Sequence, residues 1–285
     1  MKYRFRKALW YPSMLIASVL LLFPFSCTGS EIAVLAPETN TTAKQFHESF
    51  ESALKGSVPV ADSGLGEAVL KTQNPHNPFN MTIFEARNLG TGIGCSYLVI
   101  LKSDTIRRSA PGRTKYFESY AARYVVDARN GLLIDWDIAR SEADAPEAAI
   151  SGLLVLAPEA ARDTLETISI HRDMQNRIPP PDFFEEKKLE KGARYPMPYK
   201  RLKPPYTDSA NFYGVEATVD IMVEIDASGR VLRTAVTRWA GFGLDGSVER
   251  TVRAMQWRPA DDKNGTFTMR VLLRYNFRDI KDGRK

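Results

Sequence analysis

Alternating apolar and polar residues near the end of the chain predict the order strand, strand, helix, strand. Residues 215–226 alternate with period two, as in a strand buried on one face, and residues 231–238 form a returning β-branched strand. Apolar residues at helical spacing follow Asp245, the predicted N-cap, and Pro259 stops the helix. A last alternation over residues 266–277 predicts the third strand. One helix can then cover the apolar face of a small antiparallel sheet.

Helical and strand patterns alternate over residues 31–156 and predict a mixed α/β domain. The predicted strands cover residues 32–36, 58–60, 96–101, 116–126 and 131–138. The predicted helices cover residues 42–54, 65–72 and 82–89. The glycines at 90–94 follow a helix and precede a strand, the reverse of the order in a dinucleotide-binding loop, so we interpret them as a connection between the two elements.

A helix and a linker are predicted between these two regions. Residues 157–177 have helical character with Pro158 in the first turn, where proline is tolerated. Residues 179–205 contain several prolines and mixed charges, which predicts a partly extended, semi-rigid linker.

Basic residues at the N-terminus precede an apolar run over residues 8–25, a pattern typical of an export signal. Three outcomes are open: cleavage after a small residue, retention as a single membrane anchor, or cleavage at Ser26 with lipidation of Cys27. Cys27 resembles the modified cysteine of bacterial lipoproteins because a small serine precedes it, whereas Pro24 and Phe25 depart from that motif. We expect a cell-envelope protein on the periplasmic side, attached to a membrane through this segment or through a lipid on Cys27.

The composition argues against several classes of function. The net charge of +5 suits a protein near anionic lipid or polymer but is far from a nucleic-acid-binding signature. Two cysteines make no disulfide framework, and the three histidines lie too far apart to share a metal, so no metal and no cofactor are expected. Asp135 and Asp137 have no nucleophile or metal ligand beside them, and Cys95 is interpreted as a small buried thiol. We therefore expect no enzymatic activity.

The C-terminal pattern resembles the C-terminal domain of TonB-family proteins. The corresponding positions are Tyr206-Thr207, Ala210, residues 214–219, residues 226–231, Leu244-Asp245 and residues 255–259. Thr207, Ala217 and Met255 stand where that family usually has a proline, a glycine and an aromatic residue. The resemblance covers residues 201–280, approximately, and implies a three-stranded antiparallel sheet packed on a helix.

Residues 31–156 more loosely resemble the N-terminal domain of TolB and envelope proteins of the curli-secretion CsgG type. Short motifs carry this resemblance, at Leu89-Gly90, residues 97–100 and residues 125–131. They imply an envelope domain and assign no site residues.

Taken together, the sequence predicts an α+β fold in four parts. Residues 1–30 are a signal peptide or membrane anchor, residues 31–156 a mixed α/β envelope domain, residues 157–200 a helix and linker, and residues 201–285 the TonB-like domain.

The TonB resemblance implies that the last domain binds an extended segment of a partner, which adds as a strand to an exposed sheet edge. The final strand is the candidate edge, and the predicted partner-binding residues are Thr266, Thr268, Arg270, Leu272, Arg274 and Asn276. Arg270 and Arg274 can meet acidic groups of the partner. The alternative is that both arginines only solvate the polar face of the strand.

The expected partner is an outer-membrane receptor, as in TonB-dependent transport, or another envelope protein, with the cell wall as a further candidate. A narrower form is an energy transducer coupled to an inner-membrane motor, but residues 2–27 lack the histidine of TonB's anchor and a folded domain replaces its spacer. The alternative is an envelope lipoprotein or scaffold whose N-terminal domain binds a ligand or an assembly and whose C-terminal domain only docks. A hydrolase in residues 31–156 is a third class, for which no catalytic set can be named.

Overall fold

The computed structural model describes residues 30–173, 181–184 and 192–278. The strands are β1 (Ile32–Leu35), β2 (Tyr97–Ala110), β3 (Arg113–Asp127), β4 (Leu132–Ala143), β5 (Met197–Pro198), β6 (Ala217–Ile225), β7 (Val231–Arg238), β8 (Trp257–Arg258), β9 (Ala260–Asp262), β10 (Gly265–Phe267) and β11 (Met269–Phe277). The helices are α1 (Thr41–Leu54), α2 (Ser63–Gln73), α3 (Ile83–Ile93), α4 (Pro146–Asp173), α5 (Asp208–Phe212) and α6 (Leu244–Arg253), and a 3₁₀ turn covers Pro181–Phe184.

The N-terminal region is a four-stranded sheet in the order β1-β2-β3-β4, with β1 parallel to β2 and the other pairs antiparallel. Helices α1 and α4 bury their apolar stripes against one face of this sheet. Residues of α3 pack against the other face together with residues from the C-terminal region. Mixed helices and antiparallel sheets confirm the predicted α+β class.

Several predicted elements differ in extent from the structure. Residues 58–60 contribute one isolated bridge, between Ile32 and Val60, and no full strand. The glycines at 90–92 lie inside α3, and Gly94 ends it with a left-handed φ of 79°. Strand β2 continues to Ala110 because a long antiparallel ladder with β3 satisfies the backbone of its polar half.

Helix α4 begins at Pro146, so the prediction of a helix start at residue 157 with Pro158 in its first turn was wrong. Pro158 lies inside the helix, where it removes one backbone hydrogen bond. The buried stripe of α4 runs on both sides of that position and consists of Ala149, Leu153, Ala157, Ala161, Thr164 and Ile168. Packing of this stripe on the sheet outweighs the local preference of proline to stop the helix.

The C-terminal region is a three-stranded antiparallel sheet in the order β11-β6-β7, with α6 against one face, as predicted. The predicted final strand is divided in two by the structure. Its first part, β10, pairs with β9 in a separate hairpin, and the remainder, β11, pairs with β6 along nine residues.

The two regions share one apolar core. Trp239 and Phe242 of the C-terminal region lie 5.6 and 6.3 Å from the ring of Tyr124 in β3, measured between ring centroids. The ring of Trp136 in β4 stacks on Phe242 at 5.6 Å, and the indole Nε1 of Trp239 donates to the carbonyl of Gly131. The sheet of the C-terminal region is therefore held directly on the N-terminal region.

Asp245 is not the N-cap of α6, contrary to the prediction, because Gly243 occupies that position with a left-handed φ of 74°. The carboxylate of Asp245 instead accepts hydrogen bonds from the amides of Ala240 and Gly241 at 2.9 and 2.8 Å. Burial raises the pKa of Asp245 to about 6, although the two amides favour its charged form.

This raised pKa predicts a specific pH dependence of stability. Between pH 4 and pH 6, approximately, the folded chain holds a proton on Asp245 that the unfolded chain has released. The stability contributed by this group is therefore present at low pH and is lost as the pH rises through 6, by up to about 3 kcal/mol. The free energy of unfolding of the wild type minus that of Asp245→Asn should fall over this range in urea titrations. A difference that stays constant with pH would contradict the assignment.

Candidate functional site: the free edge of the C-terminal sheet

In the part of the chain that the structure describes, strand β11 is the end strand of the C-terminal sheet, and the hydrogen bonds of β6 show which backbone groups of β11 point away from β6. In β6, the amide of Thr218 donates to Oδ1 of Asn80 at 2.9 Å, and its carbonyl accepts from Nδ2 of Asn80 at 2.8 Å. Thr218 thus points both groups away from β11. Its partner across the ladder, Asn276, belongs to a non-hydrogen-bonded pair and points its own backbone groups to the free side.

In an antiparallel strand, every second residue points its backbone groups to the same side, so the direction found for Asn276 also holds for Arg274 and Leu272. We use the term β11 edge for the backbone groups of Leu272, Arg274 and Asn276. The carbonyl of Arg274 agrees with the assignment because it accepts a hydrogen bond at 2.6 Å from Arg201, which lies outside the sheet. Four of the six residues predicted from the sequence to bind a partner thus lie in β11.

The other two predicted residues lie elsewhere. Thr266 belongs to β10 and pairs with Asp261 of β9. Thr268 lies between β10 and β11, outside both strands. Residues 266–277 alternate with Leu272 as the one exception, and this pattern gave no local signal of the break. The break arises because β10 pairs with β9 whereas β11 pairs with β6, and pairing partners are not encoded in the alternation.

At the opposite edge of the sheet, the N-terminal region pairs with the end of β7, in a way that the sequence did not reveal. Thr82 forms a bridge with Arg238 at the end of β7, and the amide of Trp239 donates to the carbonyl of Met81. The side chain of Asn80 replaces a strand backbone by bonding both backbone groups of Thr218. Asn80 lies in a proline-containing loop more than a hundred residues before its partner, so no periodic pattern marks it.

The outer face of the sheet carries charged pairs. Arg270 lies 3.1 Å from Glu224, and Arg274 lies 2.7 Å from Asp220, where the hydrogen bond to the carboxylate raises the pKa of the Arg274 guanidinium. The side chain of Arg270 is only 13% exposed, whereas that of Arg274 is 59% exposed. Arg274 is thus the more accessible of the two predicted acid-binding residues.

The 3₁₀ turn of the linker covers part of this outer face. The ring of Phe183 is fully buried and lies about 5 Å from the guanidinium carbons of Arg233 in β7 and Arg270 in β11. The outer face is therefore not entirely exposed to water, and Arg270 is held between Phe183 and Glu224.

Residues considered for chemistry have structural partners. Asp135 forms an ion pair with Arg123 at 3.3 Å. Burial raises the pKa of Cys95 to about 12, so this thiol is protonated and unreactive at neutral pH.

Over the ranges that the structure describes, His, Cys, Asp and Glu residues form no group of three that can hold a metal. No helix in those ranges has the length and apolar character of a membrane span. Cys27 and the predicted export signal lie outside them.

No protein-family model matches the chain, and no curated protein matches it. Solved structures resemble parts of it. The TonB CTD of Pseudomonas aeruginosa is 19% identical over 32% of this chain and 90% of that one, with a TM-score of 0.27. Lipoprotein GNA1162 of Neisseria meningitidis is 16% identical over 48% of this chain and 98% of that one, with a TM-score of 0.33. A putative lipoprotein of Caulobacter crescentus is 17% identical over 52% and 93%, with a TM-score of 0.24. The resemblance to TonB and to lipoproteins is weak.

Proposed function

We propose that this chain is a non-enzymatic, TonB-like protein of the bacterial cell envelope that binds an extended segment of a partner protein by strand addition. The observation that supports this proposal is the β11 edge, whose backbone groups point away from β6 at one end of the sheet. Unpaired backbone groups on a sheet edge bind an extended peptide with little demand on its sequence, and neighbouring side chains select among peptides.

The partner proposed here is an outer-membrane receptor or another envelope protein. Transport across the outer membrane is the narrower form of the proposal. Leu272 is 37% exposed on the β11 edge and is the apolar group that a partner strand would first contact.

A second candidate function is an envelope lipoprotein or scaffold in which the C-terminal sheet serves as a fixed docking surface. The shared core around Trp239 and Tyr124 favours this candidate over a freely moving C-terminal module. Both candidates use the same β11 edge, and they differ in whether the partner segment belongs to a transport receptor or to a static assembly.

The test uses the full chain in cells with a photo-crosslinking amino acid in place of Asn276, an exposed residue of the β11 edge. We expect a crosslink to an extended segment of one envelope protein, which mass spectrometry then identifies. The same amino acid at Leu232, exposed on β7, should not capture that segment.

A substitution at Leu272 separates strand addition from simple contact. Leu272→Pro removes an amide that points to the free side, so the ladder with β6 keeps its bonds while the partner loses a donor. Leu272→Ala keeps the amide and is the matched control. The yield of crosslinked partner should fall about tenfold or more with Leu272→Pro and should be retained with Leu272→Ala. Equal capture by both variants would contradict binding through the backbone.

A further inference from the structure

Residues 199–206, which we call the flanking segment, run beside the second half of β11. The amide of Tyr199 donates to the carbonyl of Gln256, and Tyr206 stacks on Phe277 with ring centroids 6.0 Å apart. Between these two anchors, the guanidinium of Arg201 lies 4.9 Å from the ring centroid of Tyr275. One half of the β11 edge is thus bordered by a segment of the same chain.

Arg201 occupies a backbone acceptor of the β11 edge. Its Nη2 donates to the carbonyl of Arg274 at 2.6 Å, the acceptor that a partner strand would use at this position. A strand that pairs along the whole edge must replace this hydrogen bond with one from its own amide. The side chain of Arg201 is then released next to the incoming strand.

The charges around the edge are unequal. Strand β6 has two carboxylates on the outer face, and each is shared between two arginines: Asp220 with Arg238 and Arg274, and Glu224 with Arg233 and Arg270. Of these arginines, Arg238 also lies 3.8 Å from Glu85. Both shared carboxylates have side chains that are at most 15% exposed, so they offer little negative charge to a ligand.

The flanking segment adds further positive charge. Lys200 and Lys203 are exposed on either side of Arg201, and Arg278 is exposed directly after β11. Among the described residues, these cations outnumber Glu216, the exposed carboxylate just before β6, so a docking strand approaches net positive charge.

We propose that the β11 edge selects an acidic extended segment and that Arg201 is the residue that reads its charge. On docking, the guanidinium of Arg201 leaves the Arg274 carbonyl and pairs with a carboxylate of the partner, and a backbone amide of the partner takes over that carbonyl. This inference rests on the proposed strand addition and adds the chemistry of the partner. A guanidinium–carboxylate pair is stronger than the hydrogen bond from the guanidinium to a neutral carbonyl, so the exchange favours acidic partners.

The experiment measures binding of two fluorescent peptides to the full chain by fluorescence anisotropy. Each peptide has nine residues, the length of β11, and alternates valine with either glutamate or glutamine. We expect the glutamate peptide to bind about tenfold more tightly than the glutamine peptide at low salt. The difference should shrink as added salt screens the charges. Equal affinity for the two peptides would overturn the proposal, as would failure of both to bind.

Variants at two basic positions test the role of Arg201. Arg201→Gln removes the charge and keeps hydrogen-bond donors, while Lys203→Gln removes a charge two positions away. We expect Arg201→Gln to remove most of the preference for glutamate, about fivefold, and Lys203→Gln to change it less than twofold. An equal loss of the glutamate preference in both variants would overturn the assignment to Arg201. The preference would then come from the overall positive potential around the edge.

Leu272→Pro distinguishes failure of this inference from failure of strand addition. If Leu272→Pro abolishes binding while Arg201→Gln binds both peptides like the wild type, strand addition holds and the role of Arg201 is wrong. If the glutamate peptide still binds to Leu272→Pro, the peptide is held by charge alone and strand addition itself is contradicted. Circular dichroism confirms that each variant is folded.

Discussion

Replacing Trp239 by alanine should lower the free energy of unfolding of the full chain by about 3–5 kcal/mol. Trp239 is buried between the two regions, lies 5.6 Å from the ring of Tyr124 and donates to the carbonyl of Gly131. Its removal leaves a cavity in the shared core and an unsatisfied carbonyl. Urea unfolding followed by circular dichroism measures the loss.

The control for this prediction is Leu232→Ala, a change of an exposed residue in the same region, which should cost less than about 0.5 kcal/mol. Because both regions contribute to one core, we also expect a single unfolding transition in the wild type. Two separate transitions, of which Trp239→Ala affects one, would show that the regions fold independently.

Replacing Gly131 by alanine should lower the free energy of unfolding by about 2–4 kcal/mol. Gly131 has a φ of 78°, and a Cβ added there would lie 1.9 Å from the carbonyl oxygen of Ile83 at the start of α3. An alanine therefore suffers left-handed strain and also pushes a backbone carbonyl away. The carbonyl of Gly131 itself accepts a hydrogen bond from the indole of Trp239, so a shift of the backbone at Gly131 also disturbs the shared core.

Gly112→Ala is a closely matched control, because Gly112 has a φ of 80° and open space around its missing Cβ. It should cost roughly 1 kcal/mol, the strain alone. Thermal unfolding measures the loss of stability in each variant. The loss at Gly131 minus the loss at Gly112 gives the part that comes from the contact with Ile83. Equal losses in the two variants would contradict the backbone contact.

Local patterns predicted the elements whose formation depends on residues close in sequence. The period of two in β6, the turn at Gly229 with its φ of 84°, and the helical spacing of α6 are all visible in the sequence and present in the structure. They suffice for the α+β class and for the three-stranded sheet on a helix, because a one-sided apolar face requires a cover.

Predictions at element boundaries were less accurate, for physical reasons. Pro158 is a local stop signal, yet α4 passes through it because its buried stripe packs on the sheet at both sides. Asp245 has the chemistry of an N-cap, yet the left-handed glycine before α6 takes that position and leaves the carboxylate to bind the preceding loop. In both cases tertiary contacts outweighed a preference of about 1–3 kcal/mol.

The same distinction between local pattern and tertiary contact applies to the candidate site. The sequence by itself predicted a half-buried strand over residues 266–277 with Arg270 and Arg274 on the polar face, because side-chain alternation is a local property of the chain. Only the tertiary structure decided which backbone groups of β11 point away from β6. That outcome depends on strand order, on Asn80 at the far end of the sheet and on Arg201 beside β11, residues whose contacts close long loops that no local period encodes.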